Sequence, residues 1–238
     1  MASDHLRRVA DQVYRLEDRF VNLYLIDLGK IVLVDTGTRK AEDLIRQGLR
    51  ELGKEVDDIA ALLLTHHHAD HVGTAGVWRR EAGAAAELHR LDAPVAAKRE
   101  RRRTHGTRPA MKVAAAFMGV ITLFIRADPF EADRVLEGGE TLDVLGWPIE
   151  VIHAPGHTLG SCAFYARSAD ILFAGDAVNG RRGKPEPPNL VEDAAAAVNS
   201  FRRLTDLKAG VLLPGHGSPV RTPSAGPEPG ADARDEGP

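Results

Sequence analysis

With 238 residues, 43% of them hydrophobic and 27% charged, the chain has an ordinary globular composition and the length for one large domain with a substantial core. A formal net charge of -3 and a pI near 6.4 exclude the basic field that a nucleic-acid partner would need. The single cysteine, Cys162, excludes an internal disulfide, Met1 to Arg19 holds no uninterrupted apolar signal region, and the longest nearly unbroken apolar run, Val113 to Ile125, is shorter than the ~20 residues a bilayer span requires; a cytoplasmic protein without stable membrane insertion is the expectation.

Val13 to Leu16, Val21 to Ile26 and Lys30 to Val34 are short β-rich runs separated by turn signals at Asp18 and Leu28-Gly29, the pattern of an antiparallel meander. Arg39 to Gly53 carries Ala41, Leu44, Ile45, Leu49 and Leu52 at helical spacing, with Gly53 where a C-cap belongs. Ile59 to Leu64 is a fully apolar strand, followed by a short helix from about Gly73 to Arg80 and a strand over Ala86 to His89. From Asp92 to Asp133 the pattern turns helical, basic first and apolar later, and reads as an insertion. Its basic run, Lys98, Arg99, Arg101, Arg102, Arg103 and Arg108, is broken by Glu100 alone. It reads either as a solvated helix face or as part of a lid whose arginines meet an anionic group.

Glu140 to Leu145, Ile149 to His153, Cys162 to Ala166 and Ile171 to Phe173 return to strands. Val191 to Leu207 reads as a helix with Val198, Phe201 and Leu204 on one face, and Val211 to Leu213 as a last strand. Strands interleaved with surface helices, without strict alternation, predict an α+β protein with two sheets face to face and helices outside. This domain spans 1–221, and the Pro- and Gly-rich stretch 222–238 reads as a disordered tail.

The apolar strand at Ile59 to Leu64 delivers Thr65-His66-His67-His68-Ala69-Asp70-His71 at its end. Neutral imidazole and carboxylate are ligands for zinc and similar divalent ions. His66 and His68 are two apart, so on an extended backbone they point the same way and can grip one ion. Asp70 and His71 follow the turn of the chain and can serve a second ion beside the first. His67, between two residues facing the other way, is expected to be supporting or solvent-facing. Three later strand ends each present one more ligand-type residue: His157 in Ala-Pro-Gly-His-Thr-Leu-Gly-Ser, Asp176 in Phe-Ala-Gly-Asp-Ala and His216 in Pro-Gly-His-Gly. Alone, Asp176 reads as a turn residue and His216 as a loop histidine; their joint occurrence carries the reading. His5, His89, His105 and His153 belong to no motif, and Trp78 and Trp147 read as packing residues.

Together these motifs resemble those of the metallo-β-lactamase superfamily, over Val13 to Ser218. The resemblance implies an αββα sandwich, two mixed sheets flanked by helices, with metals at one edge of the paired sheets. By motif position it gives His66, His68 and His157 to a first divalent ion and Asp70, His71 and His216 to a second, with Asp176 bridging them. The expected cofactor is two zinc ions, with iron or manganese as alternatives. Asp35, in Val-Asp-Thr-Gly, is expected either to hold a ligand imidazole by its free ring nitrogen or to cap a turn. Two ions ~3.5 to 4 Å apart lower the pKa of a shared water to ~7. The implied nucleophile is a bridging hydroxide oriented by Asp70.

Departures from relatives narrow the reaction. His68 stands where diiron flavoproteins usually carry Glu, Asp176 where lactam-cleaving members commonly carry Cys or Ser, and Asn179 where quorum-signal lactonases carry Tyr. The Pro-Gly-His-Thr and Pro-Gly-His-Gly segments most resemble glyoxalase II-like thioesterases. The expected activity is hydrolysis of an ester-type carbonyl, a thioester first, by a glyoxalase II-like enzyme or another acyl thioesterase. The alternatives are a lactonase, a persulfide dioxygenase using one iron, and a non-catalytic metal-binding module. The expected partner is a small-molecule acyl substrate, carried on an anionic thiol; no nucleic acid is expected, and the oligomeric state is left open.

Overall fold

The computed structural model describes residues 5–107 and 127–222. The meander forms where the β-rich runs place it, as β1 (Leu6–Ala10), β2 (Val13–Asp18), β3 (Val21–Asp27) and β4 (Ile31–Val34), each antiparallel to the one before. The sequence pattern misses β1 because an edge strand is exposed and polar: of Leu-Arg-Arg-Val-Ala only Val9 is fully buried. Helix α1 (Ala41–Glu51) buries Ala41, Ile45 and Leu49, and Gly53 follows it with φ +67°, the left-handed residue that ends the helix. Strand β5 (Ile59–Leu63) lies parallel to β4, helix α2 (Ala75–Glu81) buries Trp78, and β6 (Ala85–His89) lies parallel to β5.

The segment from Asp92 departs from its helical expectation. Among its described residues only α3 (Ala93–Ala96) is helical; it stops before Lys98, whose φ of +57° is incompatible with a continuing helix. Arg99 to Thr104 run without helix or strand into β7 (His105–Gly106). Arg108 and the apolar run Val113 to Ile125 lie outside the described residues. The chain returns with β8 (Arg134–Leu136), parallel to β6, which completes a sheet in the order β1-β2-β3-β4-β5-β6-β8.

Four antiparallel strands follow: β9 (Thr141–Val144), β10 (Trp147–His153), β11 (Cys162–Ala166) and β12 (Ile171–Gly175). A small hairpin, β13 (Asn179–Arg181) with β14 (Lys184–Glu186), leads to β15 (Leu190–Val191), which pairs with β7. Helix α4 (Ala194–Asp206) therefore starts later than the periodicity suggests: Val191 is in a ladder, and the Asp193 carboxylate caps the helix by accepting from the Ala195 and Ala196 N–H groups at 2.9 and 3.0 Å. Its buried face is Ala197, Ser200 and Leu204, so Val198, one residue around the helix, is 43% exposed and not on the packed face. Strands β16 (Val211–Pro214), parallel to β12, and β17 (Val220–Arg221) complete the second sheet, β17-β16-β12-β11-β10-β9. Thr222, the first residue of the expected tail, still donates its N–H to the Gly210 carbonyl at 3.0 Å; residues 223–238 lie outside the description.

Three apolar layers make this an αββα sandwich of two mixed sheets. Tyr24, Val34, Leu63, Phe164, Phe173 and Leu213 are among those filling the space between the sheets. Ile45, Leu49 and Trp78 pack α1 and α2 on the outer face of the first sheet, and Leu204 with Phe201 packs α4 on the outer face of the second. Trp78 is fully buried and Trp147 half-buried against the inter-sheet core, both as packing residues. Among the described residues no helix is long and apolar enough to cross a membrane. The parallel strands β4, β5, β12 and β16 all end at one edge of the sandwich, and the loops leaving their carboxyl ends gather there, where open α/β sheets characteristically build sites.

Candidate metal centre

Those loops bring all seven motif residues together. The ring nitrogens of His66 (Nε2), His68 (Nδ1) and His157 (Nε2) stand 3.1, 3.2 and 2.9 Å from one another. Three imidazole nitrogens bonded tetrahedrally to one zinc at ~2.05 Å would be ~3.3 Å apart, so this trio has the spacing of a metal cradle. Asp70, His71 and His216 form a second group: Asp70 Oδ2 is 3.6 Å from His216 Nε2 and 3.9 Å from His71 Nε2. Asp176 stands between the two groups, with Oδ1 3.4 Å from His71 Nε2 and Oδ2 3.4 and 3.2 Å from His157 and His216 Nε2. His71 Nε2 and Asp176 Oδ1 are buried without a hydrogen-bond partner. Orphaned buried donors and acceptors are costly, and a cation between them removes that cost. The donor set and its spacing fit divalent metal ions.

What lies behind the rings decides which nitrogen faces the cluster. Asp35 Oδ2 accepts from His71 Nδ1 at 2.8 Å, the Leu190 carbonyl from His157 Nδ1 at 2.8 Å and the Phe20 carbonyl from His216 Nδ1 at 2.7 Å. Each bond fixes the tautomer whose Nε2 lone pair points inward. Thr65 relays Asp35 to a second ring: its hydroxyl donates to Asp35 Oδ2 at 2.8 Å and accepts from His66 Nδ1 at 3.0 Å. Asp35 thus takes the imidazole-holding role of its two expectations. Its backbone is left-handed, φ +59°, which a short polar side chain tolerates and which turns the carboxylate back under the cluster. Gly215 allows the close approach of the last loop: a Cβ there would lie 2.2 Å from Asp176 Oδ1.

The two groups differ electrostatically. Burial, reinforced by neighbouring histidines, holds His66 and His68 well below the ordinary imidazole range, and burial likewise lowers His157. That trio is neutral and ready to donate lone pairs. Burial also opposes charge on His71, but the carboxylates of Asp176, Asp35 and Asp70 outweigh it and raise the ring to about 10. Asp176 raises His216 to about 9, and Asp176 itself, despite burial, is held well below the carboxylate range by His216, His71 and His157.

A buried polar node that the motifs do not announce fastens this edge together. Asp92, fully buried, accepts from the His67 N–H at 3.0 Å, the Thr158 hydroxyl at 2.7 Å and the Gly160 N–H at 2.9 Å, so it ties the loop of His66 and His68 to the loop of His157. The His67 ring is buried against it, Nδ1 3.0 Å from Asp92 Oδ2 though not aligned as a hydrogen bond; His67 is support and does not face solvent. Arg102, its side chain 12% exposed, meets Asp92 at 3.3 Å, Glu100 at 2.8 Å and the Leu91 carbonyl, and Arg99 pairs with Glu131 at 2.5 Å. The expected role of the basic run toward a substrate anion does not hold for Arg102, whose donors are spent inside the fold. The sequence signal for Asp92 is its place three residues beyond His89 at the end of a parallel strand. His89 and His153 stack on each other with centroids 4.1 Å apart, and neither they, His5 nor His105 joins the metal groups.

Fold and site together define a metal-dependent enzyme scaffold of the αββα class. The profile of the metallo-beta-lactamase superfamily matches residues 16–216, and the chain belongs to that superfamily, whose members are mostly hydrolytic enzymes. It is 29% identical over 216 residues to YobT, an uncharacterised protein of Bacillus subtilis, covering 86% of each chain. It is 29% identical to a hydroxyacylglutathione hydrolase of Bdellovibrio bacteriovorus and 32% to one of Pseudomonas paraeruginosa, over 63% and 50% of this chain and only 48% and 33% of theirs. Among solved structures, a metallo-beta-lactamase family protein of Thermus thermophilus superposes with a TM-score of 0.69 at 29% identity, covering 89% of this chain and 75% of that one. A metallo-beta-lactamase of Legionella gormanii reaches the same TM-score at 18% identity, a likeness of fold alone.

Proposed function

We propose that the protein is a dinuclear metal hydrolase of thioesters, acting on a small acyl group carried by an anionic thiol. The observation that carries this reading is the convergence of seven ligand-type side chains into two cradles that share Asp176. His66, His68 and His157 would hold one divalent ion and Asp70, His71 and His216 the other, with zinc the expected metal. When bound, such ions supply Lewis acidity and a water acidified to a pKa of about 7, which is hydrolytic chemistry without a protein nucleophile.

The chain's own residues do the rest. Asp70, with a side chain 40% exposed, is the carboxylate on the open side of the cluster, where the oxygen turned away from His71 and His216, Oδ1, orients the attacking water and takes its proton. Asp35 and Thr65 hold His71 and His66 in the ligand tautomer, and Asp92 holds the two loops that carry the neutral trio in register. A thiolate leaves with little protonation, so a thioester asks no more than this arrangement offers, whereas an amide needs a strong general acid. The two hydroxyacylglutathione hydrolases among the relatives support the same choice, since an acylglutathione is a thioester.

The test is turnover by the metal-loaded protein on matched thioester, lactone and oxygen-ester substrates. The thioester is expected to be cleaved at least ~100-fold faster in kcat/KM, a difference of ~2.7 kcal/mol in barrier. A faster lactone, or a thioester left intact by protein with both ions bound, refutes the assignment. Oxygen uptake with a persulfide by protein holding a single iron would identify a dioxygenase instead.

A further inference from the structure

A basic cleft of about 220 Å³ lies beside the metal centre, lined by His5, Arg7, Arg15, Glu17 and Arg19. Strand register explains it. Arg7 on β1 is opposite Arg15 on β2, which is opposite Tyr24 on β3, and Tyr24 belongs to the core between the sheets. Facing residues of antiparallel neighbours share one side, so these arginines are on the inner face of the first sheet, where the second sheet no longer covers it. An inner face would ordinarily be apolar. Here it carries Arg7 and Arg15, and with Arg19 from the adjoining turn the cleft has three arginines against one glutamate.

The cleft adjoins the ligand loop on two sides. Arg15 Nη1 reaches the carbonyl of Gly217, the residue after His216, at 3.4 Å. Arg19 is at the β2–β3 turn, where its neighbour Phe20 accepts the His216 Nδ1 hydrogen bond and Val21 bridges to His216. Glu17 is engaged by Arg15 at 3.3 Å, while Arg7 and Arg19 are exposed and have no ion pair among the described residues. The Arg15 side chain is only 11% exposed, and its two long contacts leave most of its five donors unused. Guanidinium groups with unspent donors in a concave site match carboxylate and phosphate oxygens.

We infer that this cleft is an anion subsite: it takes a carboxylate or phosphate remote from the scissile bond while the thioester carbonyl lies at the metal centre. This rests on the thioester reading above and specifies its substrate as anionic. It places a basic contact on β1 and β2, apart from the insertion whose Arg102 is spent inside the fold. Phe20, 83% exposed at the turn between cleft and centre, is the apolar surface along which the intervening chain runs.

The test compares three thioesters on the metal-loaded protein: a neutral acetyl thioester of N-acetylcysteamine, its succinyl counterpart with a carboxylate on the acyl side, and acetyl phosphopantetheine with a phosphate on the thiol side. In the double variant Arg7→Gln/Arg19→Gln, the kcat/KM preference for one anionic substrate over the neutral one is expected to fall at least ~10-fold, through KM, and whichever falls names the anion's source. The same preference should shrink in 0.5 M salt for the unsubstituted protein. Arg167→Gln, on a distant surface, serves as the control. A preference equal in the variant and the unsubstituted protein overturns the subsite. If no thioester is cleaved, the hydrolase reading has failed and the cleft is judged alone, by titrating inorganic phosphate and succinate while following amide shifts of β1 and β2. Saturable shifts lost in the double variant support it, and shifts absent or unchanged by the substitutions overturn it.

Discussion

Asp35→Asn removes one charge from beneath the cluster and leaves the side chain's size and its left-handed backbone in place, since Asn tolerates φ near +59°. The native carboxylate accepts from the Thr65 N–H and hydroxyl at 2.8 Å each and from His71 Nδ1 at 2.8 Å. An amide oxygen can serve Thr65, but the amide NH₂ then meets the His71 Nδ1–H. Relief comes from moving the imidazole proton to Nε2, the atom that faces the cluster. Metal affinity should therefore fall 10- to 100-fold, ~1.4 to 2.7 kcal/mol, with the fold intact. Asp35→Ala does more: it also leaves two buried Thr65 donors unpaired at ~1 to 3 kcal/mol each and adds ~1 kcal/mol for a left-handed alanine. That variant should lose ~3 kcal/mol or more of stability in the metal-free state. Competition against a chromophoric chelator and urea denaturation read the two effects separately. An Asn variant that binds metal within threefold of the original refutes the claim that Asp35 orients a ligand.

The unequal charge of the two cradles predicts how loading depends on pH. With His71 raised to about 10 and His216 to about 9, both hold protons at pH 7.5 in the absence of metal, so affinity at their cradle should rise with pH toward those values; calorimetry in buffers of differing ionisation heat should find at least about two protons released, the bound water adding to those of the two rings. Release of none would contradict the assignment. Burial pushes the Asp92 pKa up, but contacts from His67 and Thr158 outweigh it and hold it below the ordinary value. Its stabilisation is therefore complete above the ordinary carboxylate pKa of ~3.9 and is lost as pH falls through the lower folded value. Asp92→Asn should cost ~3 kcal/mol at pH 6, because it turns one buried acceptor, facing Arg102 and the Gly160 N–H, into a donor, and less at pH 3; an equal cost at both values would contradict this. Gly215→Ala would put a methyl 2.2 Å from Asp176 Oδ1, so at least ~100-fold weaker metal binding with an unchanged circular dichroism spectrum is expected; native affinity would refute the close approach.

The apolar strands and the ligand-type residues at their ends are legible because both follow local rules. Ile59 to Leu63 reads as buried from composition alone, and His66 and His68 share a side because alternation puts them there. Features set by distant partners are not legible in this way. His67 reads as support or as a solvent-facing residue between two ligands, and only Asp92, 25 residues on, buries it. The basic run reads as a helix face, yet Lys98 turns left-handed and Arg102 folds back on Asp92 and Glu100. No local pattern marks Arg7 and Arg15, whereas register with Tyr24 puts both on the inner face of the first sheet. The helix starts at Ala194, behind the Asp193 cap and three residues later than the periodicity suggests, because Val191 is apolar for the sake of a strand ladder.

Metal content tests the central claim most directly. After loading with zinc and removal of the excess, native mass spectrometry of the folded protein should show two ions per chain, and Asp176→Ala, which removes the carboxylate common to both cradles, should retain fewer than one. A folded, unsubstituted protein that holds at most one ion would contradict the two-metal centre.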